Sequence, residues 1–361
     1  MENKIQLLDC TLRDGCYIVN GEFGKSAIGG IIKRLQDAHV EIIECGWLKD
    51  MPHKFGSAYY HVPSDLEQYL IVNKAPNVKY VAMIDYNRYD LKQLPKCDGK
   101  SIDAIRVVFP KDKVDEGLAL AEPIRQKGYK IYFQAANTLG YTDKEILNLI
   151  EKVNKIEPEG LSIVDTFGAM YPDDLIHLLT LFLYNLNDNI RLGLHSHNNL
   201  QLSFANAIKF SELTIKENRK IIIDASLCGM GRGAGNGCTE LIAGYLNKKF
   251  EKAYDIDVIL DTIDMYMGRY LNKYTWGYST PYYISGTYCA HVNNISYLIE
   301  NHKTKAKDIK NILEMLDSET RYLYKYDKLD KVYLDYQSKK INDENTKEAL
   351  KNELKNKKIL L

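Results

Sequence analysis

Eight short apolar runs rich in β-branched residues recur along the first 230 residues, and this rhythm restricts the fold more than any other feature of the chain. The runs are IQLLDCTL (5–12), VEIIECGW (40–47), VKYVAMID (78–85), AIRVVFP (104–110), KIYFQAAN (130–137), GLSIVDTFG (160–168), RLGLHSH (191–197) and KIIIDASLCG (220–229). Each is nearly continuous in apolar residues, the pattern of a strand covered on both faces. Successive runs start roughly 25–40 residues apart, room for a strand, a helix and two short loops. The intervening segments have helical periodicity. SAIGGIIKRLQDAH (26–39) sets Ile28, Ile31, Ile32 and Leu35 on one stripe. DKEILNLIEKVNKI (143–156) opens on Asp143, a suitable N-cap, and YPDDLIHLLTLFLYNL (171–186) has Pro172 followed by two aspartates, a good helix start. Eight strand–helix units in series predict an α/β protein with a (β/α)8 TIM barrel over residues 1–252. A doubly wound open sheet is the alternative, and the count and even spacing favour the barrel. Residues 253–361, rich in Tyr, Lys and Asn, read as a C-terminal, mainly helical region.

Bulk properties narrow the function classes. The chain has 361 residues, 45% hydrophobic and 27% charged, with 48 basic and 48 acidic side chains. A balanced charge provides no long-range field to hold a polyanion, so nucleic acid is not expected as a partner. No apolar run reaches membrane-spanning length, and the start MENKIQLLDCTLRDG lacks the basic-then-apolar order of a signal peptide. The seven cysteines have no CxxC spacing and read as reduced thiols of a cytoplasmic protein.

Polar residues collect where the apolar runs end. The first run closes in DCTLRDG with Asp9, Arg13 and Asp14, and the second carries Glu44. Asp165 ends the sixth; His195, His197, Asn198 and Asn199 end the seventh; Asp224 precedes the glycine-rich GMGRGAGNG (229–237). In a barrel these ends form the active-site face. Buried carboxylates are costly unless paired or bound to a metal, and a divalent cation gives the convergence a common cause. Strand side chains alternate, so His195 and His197 face the same way. With Asp14 they would make three protein ligands and leave positions open for water and substrate. The bland readings are a polar strand end for the HxH pair and an ion pair for Arg13 with Asp14 or Glu44. Asp9 and Asp165 read as hydrogen-bonded barrel residues without chemistry. GMGRGA partly mimics a dinucleotide fingerprint, but that motif belongs after the first strand of a βαβ unit. Here it follows the eighth, where a barrel can also carry a phosphate-binding loop; the simpler reading is a tight loop that brings Asn236 and backbone amides near the pocket.

TLRDG ending the first strand, HSHNN on the seventh and GMGRGAGN after the eighth, in that order, resemble the DRE-TIM metallolyase superfamily over about residues 5–250. That superfamily includes hydroxymethylglutaryl-CoA lyase, isopropylmalate and homocitrate synthases, and 4-hydroxy-2-oxovalerate aldolase. The resemblance implies that Asp14, His195 and His197 ligate a divalent metal, joined by Asn236 in some members. It implies that Arg13 stabilises an enolate and that Glu44 stands at the end of the second strand. Manganese is the first expectation for the ion, with magnesium, cobalt and zinc also suited to these donors. The chain continues RDGCY where condensing synthases have RDGEQ, and Cys228 and Cys238 flank the glycine loop without matching the lyase motif. The aldolase branch is therefore nearest. Its histidine base, three residues after the metal aspartate, is replaced by Tyr17. SGTYCAHVNNISYL (285–298) resembles the aldolase C-terminal segment, where Tyr288 matches a pocket tyrosine.

The expected reaction is cleavage or formation of a 4-hydroxy-2-oxo acid through a pyruvate enolate, with Tyr17, Tyr288 or a metal-bound water as base and His291 in reserve. An acyl-CoA-dependent Claisen condensing synthase of the isopropylmalate or citramalate type is the alternative. A Schiff-base aldolase would need a lysine at the barrel mouth, whereas Lys79, Lys130 and Lys220 stand at the beginnings of their runs. The partner expected from the chemistry is a small 2-oxo acid. The resemblance adds a homodimer and an aldehyde dehydrogenase that takes the aldehyde product.

Overall fold

The computed structural model describes residues 4–70 and 74–358. Eight parallel strands follow the eight apolar runs: β1 (Ile5–Asp9), β2 (Ile42–Leu48), β3 (Lys79–Asp85), β4 (Ala104–Phe109), β5 (Lys130–Ala135), β6 (Gly160–Asp165), β7 (Arg191–Ser196) and β8 (Ile221–Ala225). Each pairs with its neighbours in chain order, and β1 pairs with both β2 and β8, so the sheet closes into a (β/α)8 barrel. A two-residue strand, Tyr59–Tyr60, adds to the end of β2. The expected helices form at Lys25–Asp37, Asp143–Ile156, Pro172–Asn185 and Thr239–Phe250. The N-cap of the second is Thr142 rather than Asp143. Thr142 and Glu145 form a reciprocal capping box, which satisfies two free N–H groups.

Side-chain alternation along the strands builds the lumen in layers. Leu8, Ile42, Val81, Ala104, Tyr132 and Ile222 form a small apolar cluster inside the barrel. Two residues further along, the same face presents Glu44, Arg106, Gln134 and Asp224. Glycine adjusts the fit: a Cβ at Gly193 would lie 2.2 Å from Ser162 Oγ. A much larger apolar cluster packs the outer strand faces against the helices.

The chain divides into two compact units, Met1–Tyr278 and Ser279–Leu361, whereas the sequence reading placed the division after residue 252. Beyond the eighth helix, Lys252 and the Tyr254 hydroxyl both bind Glu41, which also accepts from the Leu7 amide. A helix at Ile256–Thr262 then runs into a π-helical turn, Ile263–Met267, whose Tyr266 fills the space above Gly30. These contacts place residues 253–278 in the first unit. The second unit is helical, with its own core built around Ile284, Ile295, Leu298, Ile309, Ile312, Leu313 and Leu329. Among the described residues no helix is long and apolar enough to cross a membrane.

Candidate functional site

Strand β1 stops at Asp9, and Thr11–Asp14 forms one helical turn instead of continuing the strand. Asp9 dictates the stop. One carboxylate oxygen accepts from the Thr11 amide at 2.9 Å and the other from the Thr239 hydroxyl at 2.6 Å, the local competition by which aspartate turns a backbone. The turn buries Arg13 and Asp14 side by side. Arg13 Nη1 donates to Asp14 Oδ1 at 2.6 Å, and Nε donates to Glu44 Oε2 at 2.7 Å. Arg13 Nη2 has no hydrogen-bond partner among the described residues.

The histidine pair ends β7. The His195 and His197 rings meet edge to face with centroids 5.2 Å apart. One donor atom from each, with a carboxylate oxygen of Asp14, forms a buried trio within 4.8 Å of one another. Bonds of ~2.0–2.2 Å to a single ion would set such atoms roughly 3–4 Å apart. His197 Nδ1 lies 3.2 Å from the Gly235 carbonyl. A carbonyl only accepts, so this nitrogen carries the proton and Nε2, 3.8 Å from Asp14 Oδ2, keeps its lone pair. Burial pushes His197 down to about 3, against the pull of Asp14, so the ring is neutral. Burial would raise the Asp14 carboxyl, but the Arg13 guanidinium beside it holds it well below the usual carboxylate range. His195 Nδ1 sits 3.0 Å from Asp224 Oδ2 without the alignment of a hydrogen bond.

The glycine loop completes the cluster. Asn236 Nδ2 donates to Asp14 Oδ2 at 2.6 Å and to the Met230 carbonyl at 3.2 Å, while its Oδ1 has no partner among the described residues. The two asparagines after HSH fasten this loop. The Asn198 amide donates to the Gly235 carbonyl, and Asn199 Oδ1 accepts from the Ala234 amide, both at 2.8 Å. Gly231 leaves room for the ligands, since a Cβ there would lie 2.7 Å from Asp14 Oδ2 and 2.4 Å from Asn236 Nδ2.

Arg106 is the residue that sequence reasoning missed. It is 1% exposed and bridges two strands, donating to Glu44 Oε2 at 2.9 Å and to Asp224 Oδ2 at 2.5 Å. A continuous buried chain therefore runs Asp14–Arg13–Glu44–Arg106–Asp224–His195. Two guanidiniums face three carboxylates. Over these five groups the excess is negative. The unpartnered Asn236 Oδ1, the cradle at Gly231, the lone pair of His197 and this charge excess all fit a divalent cation.

The structure brings Arg13, Asp14, Glu44, His195, His197 and Asn236 together. Tyr17 follows on the next helical turn, 38% exposed, with its ring in edge contact with Trp47 and the Arg232 guanidinium 3.9 Å over its face. Desolvation raises its pKa, and Arg232 opposes the rise. Tyr288 belongs to the second unit, where its hydroxyl donates to Glu314 at 2.7 Å. In the same unit the His291 ring caps a helix by accepting from the Asn293 amide. Asp165 accepts from the amides of Ala169 and Met170, and so shapes the loop after β6. Contrary to the sequence expectation, a lysine does stand at a strand end: β2 reaches Leu48 and Lys49 follows it directly. A register shift between Glu44 and Trp47 marks a bulge, which lets both residues reach Arg13.

Comparison with known proteins identifies the family. The HMGL-like family profile matches residues 4–266. A 4-hydroxy-2-oxovalerate aldolase of Rhodococcus jostii is 22% identical over 276 residues, 76% of this chain and 77% of that protein. One of Rhodococcus opacus is 26% identical over 267 residues, covering 73% and 74%. Among solved structures, the N-terminal domain of a candidate aldolase from Bacteroides vulgatus superposes with a TM-score of 0.68 at 26% identity, over 81% of this chain and 96% of that one.

Proposed function

Since the chain belongs to the HMGL-like family, we propose that it is a metal-dependent carbon–carbon lyase that cleaves or forms a 4-hydroxy-2-oxo acid through a pyruvate enolate. The carrying observation is the buried Asp14–His195–His197 trio set beside an arginine whose Nη2 amino group is uncommitted. Asp14, His195, His197 and Asn236 would hold a divalent ion, which supplies Lewis acidity toward a 2-oxo acid. Arg13 Nη2 donates to the oxygen on which enolate charge develops. Its other nitrogens are fixed by Glu44 and Asp14, so little reorganisation accompanies the reaction. Tyr17 handles the proton of the 4-hydroxyl. A phenol raised by desolvation keeps its proton at neutral pH, which suits giving it to the alkoxide formed in the addition direction. Cleavage is the same transfer in reverse, from the 4-hydroxyl to the Tyr17 phenolate, so it requires the deprotonated side chain, which Arg232 favours and desolvation opposes.

The test is pyruvate release from a 4-hydroxy-2-oxo acid before chelation, after chelation and after return of Mn2+. Asp14→Ala and His195→Ala should each abolish both metal retention and activity. Activity that survives chelation, or a pyruvate adduct trapped by borohydride, would overturn the proposal.

A further inference from the structure

Strand β2 delivers one more charged group to the mouth. The Lys49 ammonium lies 3.9 Å from the centroid of Tyr59 and 5.6 Å from that of Trp47. Both rings are anchored in the site wall. Trp47 Nε1 donates to the Arg13 carbonyl at 3.1 Å, and the Tyr59 hydroxyl donates to the Cys16 carbonyl at 3.4 Å. Lys49 is therefore one indole ring removed from the backbone of Arg13. Among the described residues no carboxylate comes within ion-pair distance of its ammonium, and Asp85, the carboxylate that acts on it, faces Arg88 at 3.5 Å.

Aromatic faces hold a cation in place without neutralising it. A half-buried ammonium without a counter-anion is costly, and burial lowers the Lys49 pKa. The position separates the two ends of a substrate. The 2-oxo carboxylate end belongs with Arg13 and the metal-ligand trio, whereas Lys49 stands on the Trp47 ring whose Nε1 reaches the Arg13 carbonyl. We propose that Lys49 is a specificity residue that selects an aldehyde-derived half ending in a compact anionic group. This inference rests on the aldolase reading and names the substrate class of that same site. A carboxylate and a phosphate monoester share the required chemistry, and the test tells them apart.

The experiment compares kcat/KM for addition of pyruvate to butanal, succinic semialdehyde and glyceraldehyde 3-phosphate, using wild type, Lys49→Met and Lys49→Arg with Mn2+ present. Exchange of the pyruvate methyl protons with deuterated water is followed by NMR as a separate readout of enolate formation. Wild type should favour one anionic aldehyde over butanal by at least about tenfold, and less so at high salt. Lys49→Met should lose that advantage through KM while leaving butanal addition and proton exchange unchanged, and Lys49→Arg should retain most of it. The preferred anion identifies the group. Exchange without any anionic preference, or an equal loss for butanal and the anions in Lys49→Met, overturns this inference alone. A borohydride-trapped pyruvate adduct on Lys49, or the absence of both exchange and addition in wild type, overturns the aldolase reading and this inference with it.

Discussion

Gly231 gives the sharpest test of the metal-ligand geometry, because only a methyl group is added. Its φ lies outside the left-handed region, so alanine fits the backbone and the whole effect is steric. A Cβ would stand 2.7 Å from Asp14 Oδ2 and 2.4 Å from Asn236 Nδ2. Ordinary contact begins near 3.4 Å, so these atoms must retreat by roughly 0.7–1.0 Å, several times the ~0.2 Å tolerance of a metal–ligand bond. Asp14 cannot retreat freely, since Arg13 holds its other oxygen at 2.6 Å. Gly231→Ala should therefore weaken Mn2+ binding about 10–100-fold, as loss of a ligand's support does, which is about 1.4–2.7 kcal/mol. Calorimetric titration of the chelated protein measures this directly. Gly244→Ala is the control. That glycine lies within the helix Thr239–Phe250 with nothing within 4 Å of the added atom, so the change should leave metal affinity alone and stabilise by about 0.5–1 kcal/mol. Equal Mn2+ affinity in wild type and Gly231→Ala, with the fold intact by circular dichroism, would refute the ligand assignment of Asp14 and Asn236.

Arg106→Met removes the cation between Glu44 and Asp224 and should cost about 3–5 kcal/mol in urea unfolding; a loss under about 1 kcal/mol would mean that the bridge is dispensable. Arg13→Lys keeps a charge but not the fork that serves Glu44, Asp14 and the enolate together, so kcat should fall about 10²–10³-fold, and near-normal turnover would remove Arg13 from the chemistry. Tyr17→Phe should slow pyruvate addition to aldehydes while pyruvate proton exchange continues, and parallel loss of both would show that Tyr17 acts earlier. Burial pushes Asp165 up to about 7 from an ordinary 3.8. The folded state thus binds this proton more tightly, and the resulting stability is complete below about 4 and lost as pH rises through about 7. The advantage of metal-free wild type over Asp165→Asn should therefore be larger at pH 5 than at pH 8, by roughly 2–3 kcal/mol. A difference independent of pH would contradict the shift.

The strands were legible because a doubly covered strand must be apolar almost throughout, and nothing else in the chain shares that pattern. Their ends were less so. TLRDG read as strand, but Asp9 spends its carboxylate on Thr11 and Thr239, and the chain turns. The partner of one of those bonds lies 230 residues away, so no local propensity encodes it. Arg13, Asp14, Glu44, His195 and His197 were legible as polar groups at strand ends, and Asn236 through the glycine loop after the eighth. Tyr288 was not placed by the same logic. It follows no barrel strand, and its match rested on a segment of the second unit, where its hydroxyl is already given to Glu314.

Arg106 and Lys49 escaped for different reasons. Lys49 was lost to a one-residue error in the end of β2, and at a barrel rim one residue decides which side of the wall a group occupies. Arg106 had a signal in AIRVVFP, an arginine inside an apolar strand. Searching only strand ends passes over a lumen, where charge is tolerated if it is matched. Period-two reading of each strand from its apolar lumen residue reaches Glu44 from Ile42, Arg106 from Ala104 and Asp224 from Ile222. Three charges then share one layer by alternation alone, and Arg13 with Asp14 lie above it. Such a layer cannot persist with its carboxylates unopposed. Arg106 opposes two of them, Arg13 binds Glu44 and Asp14, and the remaining excess falls at Asp14 beside the histidines. A cation is called for at that corner of the network and not at Glu44, which already accepts from both guanidiniums.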